Sequence, residues 1–317
     1  MDLNQLINQF LEYLEVEKGR SSSTTRVYHH YLKRFSEWLA ATFPQVRPED
    51  IDLGLVRKYR LYLARLTGAD GSPLKKATQS YHVIALRAFL RYLSVQRNIT
   101  TLSPDKIELP KTAGRMVTFL NSDQVERLLS SPDTSKVTGL RDRAILETLF
   151  SSGLRVSELA QLNRDQINLE RKEFGVIGKG GKPRVAFLSD TAAEWLERYL
   201  EQREDYFKPL FIRHQGHEDV TRDGEKMRLT PRSVQRIVGK YARRCGLPVK
   251  TSPHTLRHSF ATDLLIGGAD IRSVQEMLGH ESIRTTQVYT HVTDRQLREV
   301  HRAFHRKSKI TRDTLEE

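Results

Sequence analysis

"EFGVIGKGGKPRVAFL", residues 173–188, is the stretch on which the fold class turns. Val176, Ile177, Val185 and Phe187 stand on either side of a Gly-Lys-Gly-Gly-Lys run, and β-favouring residues around a glycine-rich turn predict a hairpin. Everything around it is written in helical periods. "NSDQVERLLSS" (121–131) and "GLRDRAILETLFSSG" (139–153) precede it as amphipathic segments, with Gly153 suited to cap the second. Beyond it, helices are expected near 190–204, 230–245, 253–267, 271–278 and 293–306. One hairpin among helices predicts a mainly α domain with a small β-hairpin or sheet, an α+β arrangement.

Upstream, the pattern is helical throughout. "LNQLINQFLEYLEVE" (3–17) puts Leu3, Leu6, Ile7, Phe10, Leu11 and Leu14 on one stripe. "SSSTTRVYHHYLKRFSEWLAA" (21–41) opens with hydroxyl capping residues and continues the stripe through Val27, Tyr31, Phe35, Trp38 and Leu39, until Pro44 and Pro48 stop it. Helices over 52–66 and 76–96 follow, separated by "TGADGSP" (67–73). These four helices predict an N-terminal helical domain over 1–105. "SPDKIELPKTAGRMVTF" (103–119) has two prolines and no period, which places a linker at 106–117 and a second domain at 118–317.

The chain of 317 residues carries 52 Lys+Arg against 39 Asp+Glu, a net charge of +13. Residues 1–113 hold 17 basic and 11 acidic side chains and the remainder 35 and 28, so both parts are basic, as expected if both touch one polyanion. No long apolar run and no Lys-dominated amphipathic segment occurs, so nucleic acid is the expected partner and a membrane is not. Cys245 is the sole cysteine, which excludes an internal disulfide and a multi-cysteine zinc site. With no secretory signal at the start, a cytoplasmic location is expected.

Three further stretches, and the hairpin turn itself, carry chemistry. "SPHTLRHSFATDLL" (252–265) sets Pro253 at a first helical position and His254 and Arg257 three apart on one face, an arrangement that suits a phosphate oxygen and equally a basic helix end in solvent. In "SSGLRVSELAQL" (151–162), Arg155 follows a glycine break and Glu158 stands one turn on. Arg155 and Arg257 could together grip the two non-bridging oxygens of a phosphodiester, with Glu158 bracing a guanidinium. Lys179 occupies the hairpin turn, where Lys182 is its rival; taken alone, either reads as an exposed turn lysine. "EMLGHESIRTTQVYTHV" (276–292) adds His280 and Tyr289, which singly read as a hydrogen-bonding histidine and a half-buried core tyrosine. His254 and His258 are four apart, but without an intervening HExxH glutamate or cysteine ligands no metal is expected, and no cofactor.

"GLRVSEL", "GKGGKPR", "PHTLRHSFAT", "LGHESIRTTQVYTHV" and "LREVHRAFHRK", in this order, resemble the tyrosine recombinases of the phage-integrase family, and within them the Xer type. The resemblance spans nearly the whole chain. It implies an N-terminal four-helix core-binding domain plus a C-terminal tyrosine-recombinase catalytic domain forming a C-shaped DNA clamp. It also implies that Arg155, Lys179, His254, Arg257 and His280 surround the scissile phosphate, that Tyr289 attacks it, and that Glu158 backs the first arginine. His254 would take the Tyr289 proton, His280 would donate to a phosphate oxygen and Lys179 would protonate the departing 5′ oxygen, leaving a 3′-phosphotyrosyl link without metal or ATP.

The same resemblance adds a double-stranded DNA partner with paired inverted half-sites and a homotetramer on two sites passing through a four-way junction. A heterotetramer with a second recombinase and a septal DNA translocase are further partners of such enzymes. A mobile-element integrase on the same fold, a type IB topoisomerase and a non-catalytic DNA-binding protein are the competing readings; every catalytic position is intact against the last. "RHQGHEDVTRDGEKMR" (213–228) is longer and more polar than the family's usual loop. "LTPRSVQRIVGKYARR" (229–244) presents Arg232, Gln235, Arg236 and Lys240 on adjoining helix faces, either reading a groove or resting on phosphates.

Overall fold

The computed structural model describes residues 2–68, 71–109, 118–178, 181–216 and 223–279, together with Ser282 and Thr286. The chain divides into two compact units, Met1–Gly114 and Arg115–Glu317.

In the first unit, α1 (Leu3–Val16), α2 (Ser22–Thr42), α3 (Leu53–Arg65) and α4 (Lys76–Gln96) follow the apolar stripes of the sequence. Leu6, Phe10, Leu32, Phe35, Tyr59, Leu63, Phe89 and Leu90 form its buried core. Asp52 starts α3 by accepting a hydrogen bond from the Leu55 amide at 2.7 Å, so one otherwise unpaired donor is satisfied. Ser21 does not cap α2 in this way; its hydroxyl bonds instead to those of Ser23 and Thr24. Between α3 and α4, Thr67 and Pro73 form an isolated antiparallel bridge.

The second unit begins with α5 (Ser122–Leu129), α6 (Val137–Ser152) and α7 (Val156–Gln161). Its sheet joins β1 (Ile167–Asn168), β2 (Glu173–Ile177) and β3 (Pro183–Phe187) in that order, both pairs antiparallel. β2 and β3 make the expected hairpin, with Phe174 opposite Ala186 and Val176 opposite Arg184. The third strand, β1, was not expected, because two residues are too few to show an alternation. Then come α8 (Asp190–Glu201), α9 (Pro231–Arg244), α10 (Pro253–Ile266) and α11 (Ile271–Leu278). Helix α8 ends short of residue 204, because the Arg203 guanidinium turns inward to the Pro209 and Leu210 carbonyls, both at 2.8 Å, and organises the loop instead. The helix expected over 293–306 lies outside the described residues.

One core, including Leu146, Leu149, Leu159, Phe174, Leu196, Val234 and Leu256, binds α6 to α10 and carries the sheet. A smaller cluster of Ala261, Leu265, Val274 and Leu278 seats α11 on α10. That packing brings the end of α11 to the start of α7.

Candidate active site

Gly153 makes the first corner of the site. It ends α6 at φ +59°, and a Cβ there would lie 2.4 Å from the Phe260 ring, so no other residue fits. The chain then turns through Leu154, and Arg155 becomes the N-cap of α7. Glu158, in the first turn of α7, accepts from the Arg155 amide at 2.9 Å and from its guanidinium at 2.8 Å. Burial of Glu158 works to raise its pKa; the hydrogen bonds from Arg155 and the Arg184 and Arg155 charges outweigh it and hold the carboxyl below its ordinary value.

Arg257 reaches the same corner from α10. This helix starts as the sequence predicts, with Ser252 as N-cap and Pro253 in the first turn. The Arg257 side chain is buried and donates to the Gly153 carbonyl and to the Leu278 carbonyl, each at 2.6 Å. Arg155 donates to the next carbonyl, that of Gly279, at 3.0 Å. Two arginines about a hundred residues apart in sequence thus rest on consecutive peptide groups. These are the last carbonyls of α11, where the helix dipole is negative and cations are favoured.

His254 lies one helical turn before Arg257, exposed on one side, with its ring centroid 5.4 Å from that of His258. Packed protein, then the Arg257 and Arg155 charges, hold its pKa below the ordinary imidazole value, so it is neutral at pH 7 and able to accept a proton. His258, more enclosed, is pushed down to about 4 by burial and by its neighbours His254 and Arg257.

The structure therefore brings together Arg155, Glu158, His254 and Arg257. Lys179, His280 and Tyr289 lie outside the described residues; His280 is the residue directly after Gly279. Two participants escaped sequence reasoning. Arg184, on β3, donates to Glu158 and to the Met277 carbonyl. Arg228, at the end of the polar loop, donates to the Ala160 and Leu162 carbonyls and so caps α7 from outside. A lone arginine in an alternating strand and another in a polar loop carry no local signal of either contact.

Helix α9 is a separate feature. Thr230 caps it, accepting from the Ser233 amide at 3.1 Å, and Pro231 occupies the first turn. Val234, Val238 and Tyr241 face the core while Arg232, Gln235, Arg236 and Lys240 are exposed. All four line an open cleft of about 1410 Å³ that extends to Thr251 and Ser252, at the start of α10. Arg155 and Arg257 are not part of its lining. The Tyr241 hydroxyl donates to buried Asp142 at 2.9 Å, which pins α9 to α6. Among the described residues no helix is long and apolar enough to cross a membrane.

Residues 118–296 match the model of the phage integrase family, and residues 7–97 match the phage integrase N-terminal SAM-like domain. Tyrosine recombinase XerD of Listeria innocua is 39% identical over 313 residues, covering 96% of this chain and 99% of the relative. Tyrosine recombinase XerC of Pelobacter propionicus is 39% identical over 310 residues, covering 97% of each chain. In fold, the chain is similar to the XerH site-specific recombinase bound to a palindromic difH substrate, with a TM-score of 0.68, 23% identity, and coverage of 93% of this chain and 82% of that one. With both parts of the chain matched by family models and relatives 39% identical over nearly its whole length, this protein belongs to the phage integrase family as a Xer-type tyrosine recombinase, an enzyme of site-specific DNA recombination.

Proposed function

We propose that the chain cleaves and rejoins duplex DNA through Tyr289 and that its task is the resolution of chromosome or plasmid dimers. The observation that carries this reading is the seating of Arg155 and Arg257 on the adjacent Gly279 and Leu278 carbonyls, with neutral His254 beside them. Two guanidinium charges gathered at one turn, with an imidazole beside them, suit the non-bridging oxygens of a phosphodiester.

The Tyr289 oxygen attacks phosphorus while His254 takes the phenol proton. The bond to the 5′ oxygen breaks, and Lys179 supplies the proton that this oxygen needs. Charge growing on the phosphorane is met by the two arginines and by His280. The reading assigns no metal and no nucleotide, because each proton and each charge has a side chain to take it. The 3′-phosphotyrosyl link keeps the energy of the broken bond, so a 5′ hydroxyl from a second duplex reverses the step and joins new partners.

In this reading the helical unit over 1–105 and the catalytic unit over 118–317 close on DNA as a C-shaped clamp, and α9 reads a groove. Four protomers hold two sites of paired inverted half-sites, as a homotetramer or with a second recombinase, in the cytoplasm. A septal DNA translocase is a further partner of this reading.

The deciding experiment uses a nicked suicide duplex whose sequence is selected by the wild-type chain, through covalent capture, from a randomised library. Tyr289→Phe is expected to keep folding and DNA affinity and to form no 3′ adduct. An adduct on the Tyr289→Phe variant, mapped to another residue, overturns the assignment. Wild-type relaxation of supercoiled DNA without recombinant junctions would move the chain to topoisomerase chemistry.

A further inference from the structure

Strand β3 runs against its own alternation. Val185 and Phe187, the residues that a half-buried strand normally turns inward, are exposed, whereas Arg184 shares the inner face with buried Ala186. Only 10% of the Arg184 side chain is exposed. A guanidinium in that position is costly without partners, so its contacts carry information.

Arg184 Nη1 donates to the Met277 carbonyl at 2.9 Å, and Nη2 donates to Glu158 Oε2 at 2.8 Å. Its stem lies against Gly279, where a Cβ would come 2.8 Å from Arg184 Cδ and 2.9 Å from Nε. Gly279 also has φ +61°, so its shape and its backbone both require glycine. The carbonyls of Met277, Leu278 and Gly279 therefore accept in turn from Arg184, Arg257 and Arg155. Both Glu158 oxygens are engaged, Oε1 by the Arg155 guanidinium, Oε2 by the Arg155 amide and by Arg184. Without Arg184, Glu158 loses its only tie beyond Arg155 among these contacts, and the turn after α11 loses the side chain packed over it.

We propose that Arg184 is a positioning residue of the phosphate site, clamping Glu158 and the last turn of α11 so that Arg155 meets the scissile phosphate in one orientation. The proposal rests on the reading of Arg155 as a phosphate ligand. Arg184 acts through Glu158 and Gly279, and a guanidinium is required because its two forks must reach a carboxylate and a carbonyl at once.

The test compares two versions of the selected suicide duplex, one with the ordinary scissile phosphodiester and one with an uncharged methylphosphonate there. Arg184→Met is expected to slow cleavage of the ordinary duplex roughly 10- to 100-fold, as loss of a supporting contact does elsewhere. On the methylphosphonate, which has less need of an aligned Arg155, the loss should shrink to a few-fold, and DNA affinity should hardly change. Arg184→Lys, which reaches one partner at a time, should fall between the two. Equal losses on both duplexes would make Arg184 a packing residue and overturn the proposal. So would rescue by a 5′-bridging phosphorothiolate alone, which would tie Arg184 to the lysine of the hairpin instead. Should Arg184→Met not fold, the ratio of the two rates is read from Arg184→Lys and, for the same linkage, Glu158→Gln. Failure of the parent reading looks different: wild-type chain would form no adduct, or Arg155→Lys would cleave at full rate.

Discussion

Helix α9 and the turn that ends α11 both gather arginine, under opposite conditions. On α9, Arg232 and Arg236 stand in solvent above Val234 and Val238, joined by Lys240. At the end of α11, Arg155, Arg184 and Arg257 are drawn against three successive carbonyls and one carboxylate. An exposed cation keeps its rotamers and meets a phosphate or a base edge wherever the duplex presents one. A cation held by fixed dipoles has spent that freedom before DNA arrives and is already aimed where charge develops. On the proposed function, the contrast would separate a part of the protein that finds DNA from a part that cuts it.

The largest effect should come from Arg257. Arg257→Lys keeps the charge but cannot bridge the Gly153 and Leu278 carbonyls, so single-turnover cleavage should drop roughly 10²- to 10³-fold, while affinity for intact duplex stays within a few-fold. A comparable fall in affinity would erase the distinction between the two regions. Next is Gly153→Ala, which places a Cβ into the Phe260 ring at a left-handed φ. Thermal unfolding should show a loss of roughly 2–4 kcal/mol, and a variant as stable as wild type would mean that the corner is not rigid.

On α9 the expected change is smaller and of another kind. Arg236→Ala should weaken binding by about 1–2 kcal/mol and lower the salt dependence by about one phosphate contact, yet cleave at nearly the wild-type rate once DNA is saturating. Slow cleavage at saturation would break the comparison from its other side. For the intact chain, the logarithmic salt slope should be steeper than about −3.

The mildest prediction concerns pH. Among the described residues no histidine lines the α9 cleft, whereas His254 and His258 sit beside the buried arginines. His258 is held at about 4, so above its ordinary 6.5 it is neutral folded or unfolded. As pH falls from 6.5 towards 4 the unfolded chain takes a proton that the folded one refuses, and stability is lost, by under about 1 kcal/mol at pH 6. Denaturant titrations of wild type and His258→Phe should converge on the same slope above pH 7 and separate below it. Cleavage per bound complex should fall over the acid range as His254 charges, with no matching loss of affinity.

Helices with long stripes were legible from sequence because burial repeats every three or four residues, and α1 to α4 show it. The hairpin was legible from its glycines. The arginine clasp was not, because it is made across chain distances that no local period records. Arg184 hides in a strand whose visible apolar residues, Val185 and Phe187, point outward, so alternation argues for the wrong face. Arg155 and Arg257 were found through neighbours of distinctive type, a glycine break and a histidine on the same turn. Their shared carbonyls belong to backbone, which has no letter in the sequence.

The three successive carbonyls of α11 have one more consequence, which concerns time. Their donors lie 124, 93 and 21 residues away along the chain, so the clasp closes only after α7, β3 and α10 have all docked. Contacts of such long sequence separation form late, since much loop entropy must first be surrendered. On the proposed assignment of Arg155 and Arg257 to the scissile phosphate, a partly folded chain would hold no assembled centre with which to break a strand, and completion of folding would be what permits cutting.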